Sequence, residues 1–450
     1  MSYRIGIDVG GTFTDFLLLA PDGTGSVFKT ATTPLDPAVG LLNGLQDMAD
    51  THSSSLPEFV QQVGLIVHGT TVATNAVLTG TGARTGLLTT DGFRDALQMR
   101  RGIREAQYDN RVSAPTPLVP RYLRRTATER VDYRGHVCEA LHESEVQSAA
   151  EEFSDGSVEA VAICFMHAYA NADHEKRAAS LLRDALPEVY VTASSELLPQ
   201  IRFYDRTSTT VLNAYVGPLV KRYLESLTAR LEEEGFAGLL LIMQSNGGVV
   251  SAQVTMRAAA GTLLSGPAAG PIAGLSFAKE YSSGDCITVD MGGTSFDAAL
   301  IVNRLPHIVT DGRINGHLLA LPMLDIHTIG AGGGSIGWID AGGFLRMGPQ
   351  SAGAVPGPAC YECGGELPTS TDADLVLGYL APDYFLGGKL QLYPDKARVA
   401  IREHVAEPLG MDVEEAAAGM FAVINNNMAD GIREISVQRG YDPRDFPLVV

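Results

Sequence analysis

Apolar positions dominate residues 3–9 (YRIGIDV) and 12–20 (TFTDFLLLA) on either side of a glycine pair, which predicts two strands joined by a tight hairpin turn. A third run at 26–32 extends the meander. Beyond it the apolar spacing predicts a helix over 37–48, a buried strand over 63–68, a helix over 70–78 and a strand over 84–89. Three antiparallel strands followed by strand–helix alternation are the layer pattern of an α/β domain. Residues 120–200 differ in texture, with a strand near 130–138, helices at 143–153 and 173–186, apolar runs at 158–165 and 189–192, and no glycine loops. This stretch is expected to be a compact α/β insertion. Helices over 206–234, a strand over 239–244, a long helix over 414–438 and a final strand at 447–450 complete the reading.

The sequence echoes itself. Residues 286–300 (CITVDMGGTSFDAAL) repeat the opening IGIDVGGTFTDFLL of residues 5–18, so two related halves are implied, placed at 1–280 and 281–450. Each copy sets an aspartate (Asp8, Asp290) at the end of an apolar strand, then Gly-Gly-Thr (Gly10, Gly11, Thr12; Gly292, Gly293, Thr294), then a second aspartate (Asp15, Asp297) on the returning strand. Glycines let backbone N–H groups approach an anionic phosphate without a Cβ in the way, and the threonine hydroxyl adds a donor. The strand-end aspartates are suited to hold Mg²⁺ and to position a nucleophile for phosphoryl transfer. Two such loops facing each other would clamp a polyphosphate. A plain hairpin turn accounts for either copy alone, though not for both.

Composition narrows the partners. With 33 Lys+Arg against 52 Asp+Glu the formal charge is −19, which repels nucleic acid and anionic membranes. The hydrophobic fraction of 45% and charged fraction of 19% exclude disorder and coiled coil. Five cysteines, odd in number and thinly spread, do not form a disulfide framework and suit a cytoplasmic setting. Nothing near the N-terminus reads as a signal peptide, and no run reaches the ~18 apolar residues of a membrane span.

The paired loops resemble those of the actin, Hsp70 and sugar-kinase ATPases. More specifically the chain resembles the ATP-dependent hydantoinase/oxoprolinase family. The residues that carry this likeness are GIDVGGTFTD at 6–15, VHGTTVATNA at 67–76, LLTTDGF at 87–93, QSNGG at 244–248, LSGPAAG at 264–270, VDMGGTSFD at 289–297, GAGGGS at 330–335 and GPQSAGAVPGPACY at 348–361. The resemblance implies an α/β fold of duplicated RNase-H-like halves around a nucleotide cleft, with ATP and Mg²⁺ as cofactors. It assigns Asp8, Gly10, Gly11, Thr12 and Thr14 to one phosphate site and Asp290, Gly292, Gly293 and Thr294 to the other. Asp8 and Asp290 would be metal ligands, and Asp15 a further catalytic candidate. Asp15 and Asp297 are equally explained as hairpin residues bonding to their own backbone, and the run holding Gly332 and Gly333 either reaches the nucleotide or begins a helix.

The implied activity is ATP-dependent hydrolysis of a cyclic amide of hydantoin, oxoproline or lactam type, with this chain as the ATP-binding subunit beside a second catalytic subunit of hydantoinase B type in a hetero-oligomer. A ketone-carboxylase β-subunit shares the same phosphorylating first step. A small-molecule kinase and an ATP-switched activator are the readings from other classes. The family continues beyond a strand like 447–450 with a further glycine loop, so a continuation, on this or a separate polypeptide, is expected.

Other candidates carry ordinary explanations as well. His68, Thr70 and Thr71 follow a strand and open a helix, where they could bind an anion or a carbonyl oxygen, or simply cap the helix. Arg100, Arg101 and Arg104 form a basic patch that could face a carboxylate-bearing substrate or ATP phosphates, or solvent. Asp205, Arg206, Asn213 and Tyr215 lie in a helical run, and Asp325 and His327 on a strand; interior hydrogen bonding explains each as well as function. Cys360 and Cys363 have the spacing of a zinc or redox pair but lack a second pair.

Overall fold

The structure, a computed structural model, describes residues 2–10, 13–33, 36–102, 108, 111, 113–281, 284–388 and 390–450. It has a mixed α/β fold and divides into two compact units, one of residues 1–266 with 308–323, the other of 267–307 with 324–450.

The first unit opens with β1 (Tyr3–Val9), β2 (Phe13–Leu19), β3 (Gly25–Ala31), α1 (Pro37–Thr51), β4 (Val63–Thr70) and α2 (Val72–Thr79). It continues through β5 (Thr85–Thr90), β6 (Arg124–Ala127), β7 (Ala160–Cys164), β8 (Tyr190–Ala193), α3 (Phe203–Glu233), β9 (Leu239–Met243) and β10 (Val249–Ser251). One six-stranded sheet runs β10-β9-β4-β1-β2-β3. β1, β2 and β3 are antiparallel neighbours, whereas β4 joins β1, and β9 joins β4, in parallel. Ile5, Ile7 and Val9 of β1 and Phe16 and Leu18 of β2 point into the core. There they meet Leu41, Leu45 and Met48, spaced at helical intervals on α1. α1 starts where Asp36 accepts a hydrogen bond from the Ala38 N–H at 3.2 Å, with Pro37 in its first turn. A Cβ at Gly44 would lie 2.1 Å from the Phe16 ring, so this glycine seats the helix on the sheet.

A second sheet, β8-β7-β5-β6, is parallel throughout and has its own core around Phe153, Ile163 and Leu182. It takes β5, so the expected insertion is anchored on a strand upstream of residue 120. The strand expected over 130–138 is instead a two-residue strand, Arg130–Val131, pairing with Val137–Glu139 around the Asp132 turn. The helices expected over 206–234 are one 31-residue helix, α3, which continues through Pro218.

The second unit contains α4 (Ala269–Tyr281), β11 (Cys286–Met291), β12 (Phe296–Val302), β13 (Ile326–Ile329), α5 (Val413–Ser436) and β14 (Leu448–Val449). β11 and β12 form an antiparallel hairpin, β13 pairs antiparallel with β12, and β14 lies parallel to β11. α5 packs Ala416, Met420 and Ile424 into a core with Ile287, Phe296 and Leu300. The expected boundary at 280/281 is displaced to 266/267, because α4 belongs with the second sheet: Ala278 packs with Cys286 and Ile301.

Gly274 lets α4 lie close against β11, since a Cβ there would stand 2.2 Å from the Thr288 methyl carbon. Gly274→Val is therefore expected to destabilise the second unit by about 1–3 kcal/mol. Denaturant unfolding followed by the fluorescence of Trp338, in that unit, checks this; an unchanged midpoint would remove α4 from the packing that defines the unit.

Candidate functional site: two glycine turns

In β1–β2, Asp8 pairs with Asp15 and Val9 with Thr14; in β11–β12, Asp290 pairs with Asp297 and Met291 with Phe296. Each turn is closed by the same bond: Gly10 N–H donates to Phe13 O at 3.0 Å, and Gly292 N–H to Ser295 O at 2.9 Å. Asp8 and Asp290 are both exposed at the strand ends. Gly11 and Thr12 lie outside the described residues.

Around the first turn, Thr14 is buried and its hydroxyl lies 3.0 Å from that of Thr32, which donates to Gly10 O at 3.0 Å. Thr14 thus braces the turn from inside. Asp15 forms an ion pair with Lys29 at 2.6 Å, and Lys29 also sits over the Phe13 ring. On the parallel neighbour β4, Gly69 is paired with Asp8, and a Cβ there would stand 3.2 Å from Asp8 Oδ1. The glycine of the His-Gly-Thr-Thr block therefore leaves room for the Asp8 carboxylate.

The second turn is held by backbone. Gly333 N–H donates to Gly292 O at 3.0 Å and Gly334 N–H to Gly293 O at 2.7 Å. A Cβ on Gly332 would fall 2.7 Å from Thr294 N, and one on Gly334 would fall 2.9 Å from Gly293 O. Gly332 and Gly333 thus support the turn that carries Gly292, Gly293 and Thr294. By contrast, a Cβ on Gly293 would meet nothing within 4 Å, and its φ is not left-handed. Neither internal packing nor backbone conformation requires a glycine there, which is the situation expected when a ligand approaches from outside. Asp297 accepts from the hydroxyls of Thr328 and, at 3.1 Å, Ser295. Burial first, and then the Asp290 charge, hold its carboxyl above the usual range against those bonds.

Three of the expected substrate contacts fall elsewhere. His68 is fully buried in β4, its Nε2 2.8 Å from the Tyr223 hydroxyl, and burial pushes its pKa down to about 4. It is a neutral core residue, because alternation along β4 turns it inward. Thr70 is also buried, its backbone oxygen accepting from Ser265 Oγ. Arg101 makes two bonds, at 3.1 and 2.5 Å, to the nearly buried carboxylate of Asp205, so two separately noted residues satisfy one another. Arg104 lies outside the described residues. Thr71 does reach the first turn: its hydroxyl donates to Val9 O at 3.1 Å. Beside it a cavity of about 340 Å³ is lined by Gly10, Thr32, Thr71, Asn75 and Arg222.

Other noted residues have partners within their own unit. Arg206 lies wholly buried 3.8 Å from Glu175, and Asn213 bonds Thr192, Arg257 O and Ala260 N–H. Asp325 pairs with Arg439 at 2.6 Å, and His327 lies 3.1 Å from the Glu434 carboxylate on α5. Cys360 is buried and Cys363 exposed, and among the described residues no three His, Cys, Asp or Glu side chains gather as a metal cage. A divalent ion at either turn would meet the exposed strand-end carboxylate, Asp8 or Asp290, and complete its coordination with phosphate and water oxygens. Lys29, Thr32 and Ser351, whose hydroxyl lies 3.4 Å from Gly293 O, were not legible as site residues because only the strand pairing and loop packing bring them there.

The hydantoinase/oxoprolinase family profile matches residues 206–450, and the profile of that family's N-terminal region matches residues 4–186. The chain belongs to the hydantoinase/oxoprolinase family. It is 44% identical to the caprolactamase subunit alpha of Pseudomonas jessenii over 99% of this chain and 64% of that one. It is 32% identical to the acetone carboxylase beta subunit of Xanthobacter autotrophicus, over 98% and 63% of the two chains. Identity to the 5-oxoprolinase of Saccharomyces cerevisiae is 31%, over 97% and 37%. The crystal structure of the ATP-dependent caprolactamase superposes with a TM-score of 0.86 at 44% identity, covering 99% of this chain and 65% of that chain. Nucleotide-free acetone carboxylase also gives 0.86, at 31% identity, with the same coverages of 99% and 65%. The chain therefore spans under two thirds of the length of the caprolactamase and acetone carboxylase subunits it matches. No helix among the described residues is long and apolar enough to cross a membrane.

The buried His68 generates a pH dependence. Its folded pKa of about 4 lies below the unfolded 6.5, so the unfolded chain binds the extra proton and stability falls as pH drops through 6.5 toward 4. Between pH 7 and 5 this amounts to about 2 kcal/mol. His68→Gln should lose correspondingly less over that interval in urea unfolding; identical losses would contradict the neutral core assignment.

Proposed function

We propose that this chain is the ATP-handling part of an enzyme that hydrolyses a cyclic amide, and that its two glycine turns are phosphate-binding elements of duplicated RNase-H-like halves. The observation that carries the reading is the repeated register: in both hairpins an exposed aspartate stands at the strand end, paired with a second aspartate across a turn bonded in the same way. The 44% identity to a caprolactamase subunit favours an amide over a ketone as the group activated. The ketone reading keeps a specific support, since the acetone carboxylase structure superposes with an equal TM-score of 0.86.

In this reading ATP supplies a phosphoryl group to the amide oxygen, with Mg²⁺ neutralising charge on the phosphates. The amide, carrying its proton on oxygen, gives that proton up as the new P–O bond forms and the bond to the leaving phosphate breaks. Water then adds to the O-phosphorylated carbon, the ring C–N bond breaks with the amine as leaving group to give an acyl phosphate, and a second water releases phosphate and leaves the carboxylate. Asp8 and Asp290 would each hold a metal ion at its own turn and through it orient phosphate oxygens, while the N–H groups of the turns receive phosphate charge. Thr14 and the loop at 330–335 keep the turns rigid. The cavity beside the first turn receives the cyclic amide, with Asn75 offering both an amide donor and an acceptor to its N–H and C=O. Supporting the remaining assignments are the family's subunit composition, for a second catalytic subunit of hydantoinase B type, and the sparse cysteines, for a cytoplasmic setting.

Asp8→Asn and Asp290→Asn are each expected to cut ATP turnover by orders of magnitude with little change in unfolding midpoint, because both side chains are exposed. The test is an ATPase assay over lactams, hydantoins, oxoproline and ketones with bicarbonate, in the presence of the partner subunit. Near-normal turnover in both variants would refute the phosphate sites. Stimulation confined to ketone plus bicarbonate would overturn the amide, and a phosphorylated product in phosphorus NMR would indicate a kinase. Asn75→Ala should raise KM for the amide while leaving ATP affinity unchanged.

A further inference from the structure

The cavity beside the first turn has one feature that the seating of an amide does not use. Among the described residues that line it, Arg222 carries the only charge. Leu219, Arg222 and Tyr223 stand at i, i+3 and i+4 on α3, so one face of that helix forms this wall. The face is fixed in place. Tyr223 is buried with its hydroxyl 2.8 Å from His68 Nε2, and Leu219 packs against the main core of the unit. Arg222 itself is exposed, so its guanidinium projects from a rigid base.

Its polar neighbours in the wall are already engaged. Thr32 donates to Gly10 O at 3.0 Å, Thr71 to Val9 O at 3.1 Å and Thr79 to Asn75 O at 2.8 Å. The Asn75 amide in turn donates to Thr71 Oγ at 3.3 Å. Because Val9 and Gly10 are consecutive, the bonds from Thr32 and Thr71 tie this wall to the backbone of the first turn. A hydroxyl that donates to backbone has no second proton for a ligand, whereas a guanidinium offers five N–H donors in a planar fork.

Arg222 is also unpaired where comparable cations are not. Of the four cations on α3, Arg206 lies 3.8 Å from Glu175, Lys221 3.8 Å from Glu225 and Arg230 2.6 Å from Asp36. Asp36 directly precedes Pro37 of the cavity wall, so Arg230 takes the carboxylate at that end. Lys29, beside the first turn, is held by Asp15 at 2.6 Å. Among the described residues Arg222 has neither an ion pair nor a hydrogen bond, in a chain with 52 acidic side chains against 33 basic ones. A guanidinium left without a carboxylate at a cavity beside the turn is placed for negative charge that arrives with a ligand.

We propose that Arg222 is a catalytic residue of the phosphoryl transfer, giving its fork to the charge that develops between the transferring group and the accepting carbonyl oxygen. The inference rests on the reading above, in which phosphate lies at the turn and the amide in the cavity. As the bond from phosphorus to the leaving ADP oxygen breaks and the bond to the amide oxygen forms, the proton of the amide passes to water. Charge then spreads over the equatorial phosphoryl oxygens. A guanidinium on the wall shared by turn and cavity can bond one such oxygen and the accepting oxygen together. It neither takes nor gives a proton, because it stays charged at any working pH.

Binding of MgADP with and without aluminium fluoride, a mimic of the transferring phosphoryl group, tests this without turnover. Arg222→Ala is expected to bind MgADP within twofold of the wild type and the aluminium fluoride complex at least tenfold more weakly. In the amide-stimulated ATPase assay with the partner subunit, it should lower kcat a hundredfold or more while KM changes less than threefold. Arg222→Lys, which keeps the charge without the fork, should retain less than a tenth of the wild-type kcat. Equal weakening of both complexes would make Arg222 a ground-state phosphate contact, a raised KM at unchanged kcat a substrate contact, and wild-type behaviour a solvated side chain; each overturns the assignment. A wild type that no cyclic amide stimulates, with the aluminium fluoride contrast intact, would refute the amide reaction and leave Arg222 in phosphoryl transfer. An amide-stimulated wild type beside an Arg222→Ala variant of normal kcat and no contrast in binding would do the reverse.

Discussion

Two carboxylates directly opposed across an antiparallel pair repel each other, and each unit of this protein contains such a pair at the mouth of a glycine turn. The units relieve the repulsion by different means. In the first, Lys29 from the third strand neutralises Asp15, while Asp8 stands exposed at the strand end. In the second, the corresponding Asp297 has hydroxyl donors, and burial together with the Asp290 charge raises its pKa. A hairpin built only for folding would gain by replacing one of the four aspartates with a neutral residue. Retaining all four makes physical sense when a cation is to be drawn to the turn.

The turns also differ in how they are stiffened, and this follows from what surrounds them. The first is packed from the core side, where Thr14 and Thr32 link the strand to the Gly10 carbonyl. The second has a backbone loop laid on it, close enough that glycines are needed at both 332 and 334. Preorganised N–H groups stabilise developing charge without reorganisation, so rigidity obtained by either route serves phosphate binding equally. Similar sequence at the turn therefore coexists with unrelated support.

Much of this was legible in the residues. The three-stranded meander, the parallel strands and the repeat follow from alternation and from the echo of residues 5–18 in 286–300, signals that depend on neighbours in sequence. What could not be read was set by contacts distant in sequence. His68 looked like a ligand-facing residue at the head of a helix, yet strand alternation turned it beneath Tyr223, 155 positions away. Arg101 and Asp205 were noted apart and meet across 104 positions. The glycine run at 330–335 looked like a ligand loop because glycine admits close approach, and sequence does not say whether ligand or backbone is the one approaching. The division between units shifted for a similar reason, since the helix Ala269–Tyr281 chooses its sheet through Gly274 and Ala278.

The backbone path does not distinguish the chemistries found among the relatives. A caprolactamase at 44% identity and an acetone carboxylase at 31% superpose on this chain with the same TM-score of 0.86. An amide and a ketone can share a scaffold if both are activated at a carbonyl oxygen and if, as proposed, the turns address phosphate and metal, which would be common to the two. Selectivity must then come from side chains that touch the remainder of the substrate. In the first unit two cavities differ in their lining, Thr71, Asn75 and Arg222 in one and Arg94, Arg100, Asp91 and Asp95 beside Phe93 and Phe203 in the other. Side chains that line such cavities can change without altering the strand register that aligns the aspartates, so one scaffold can serve different chemistries through its side chains alone.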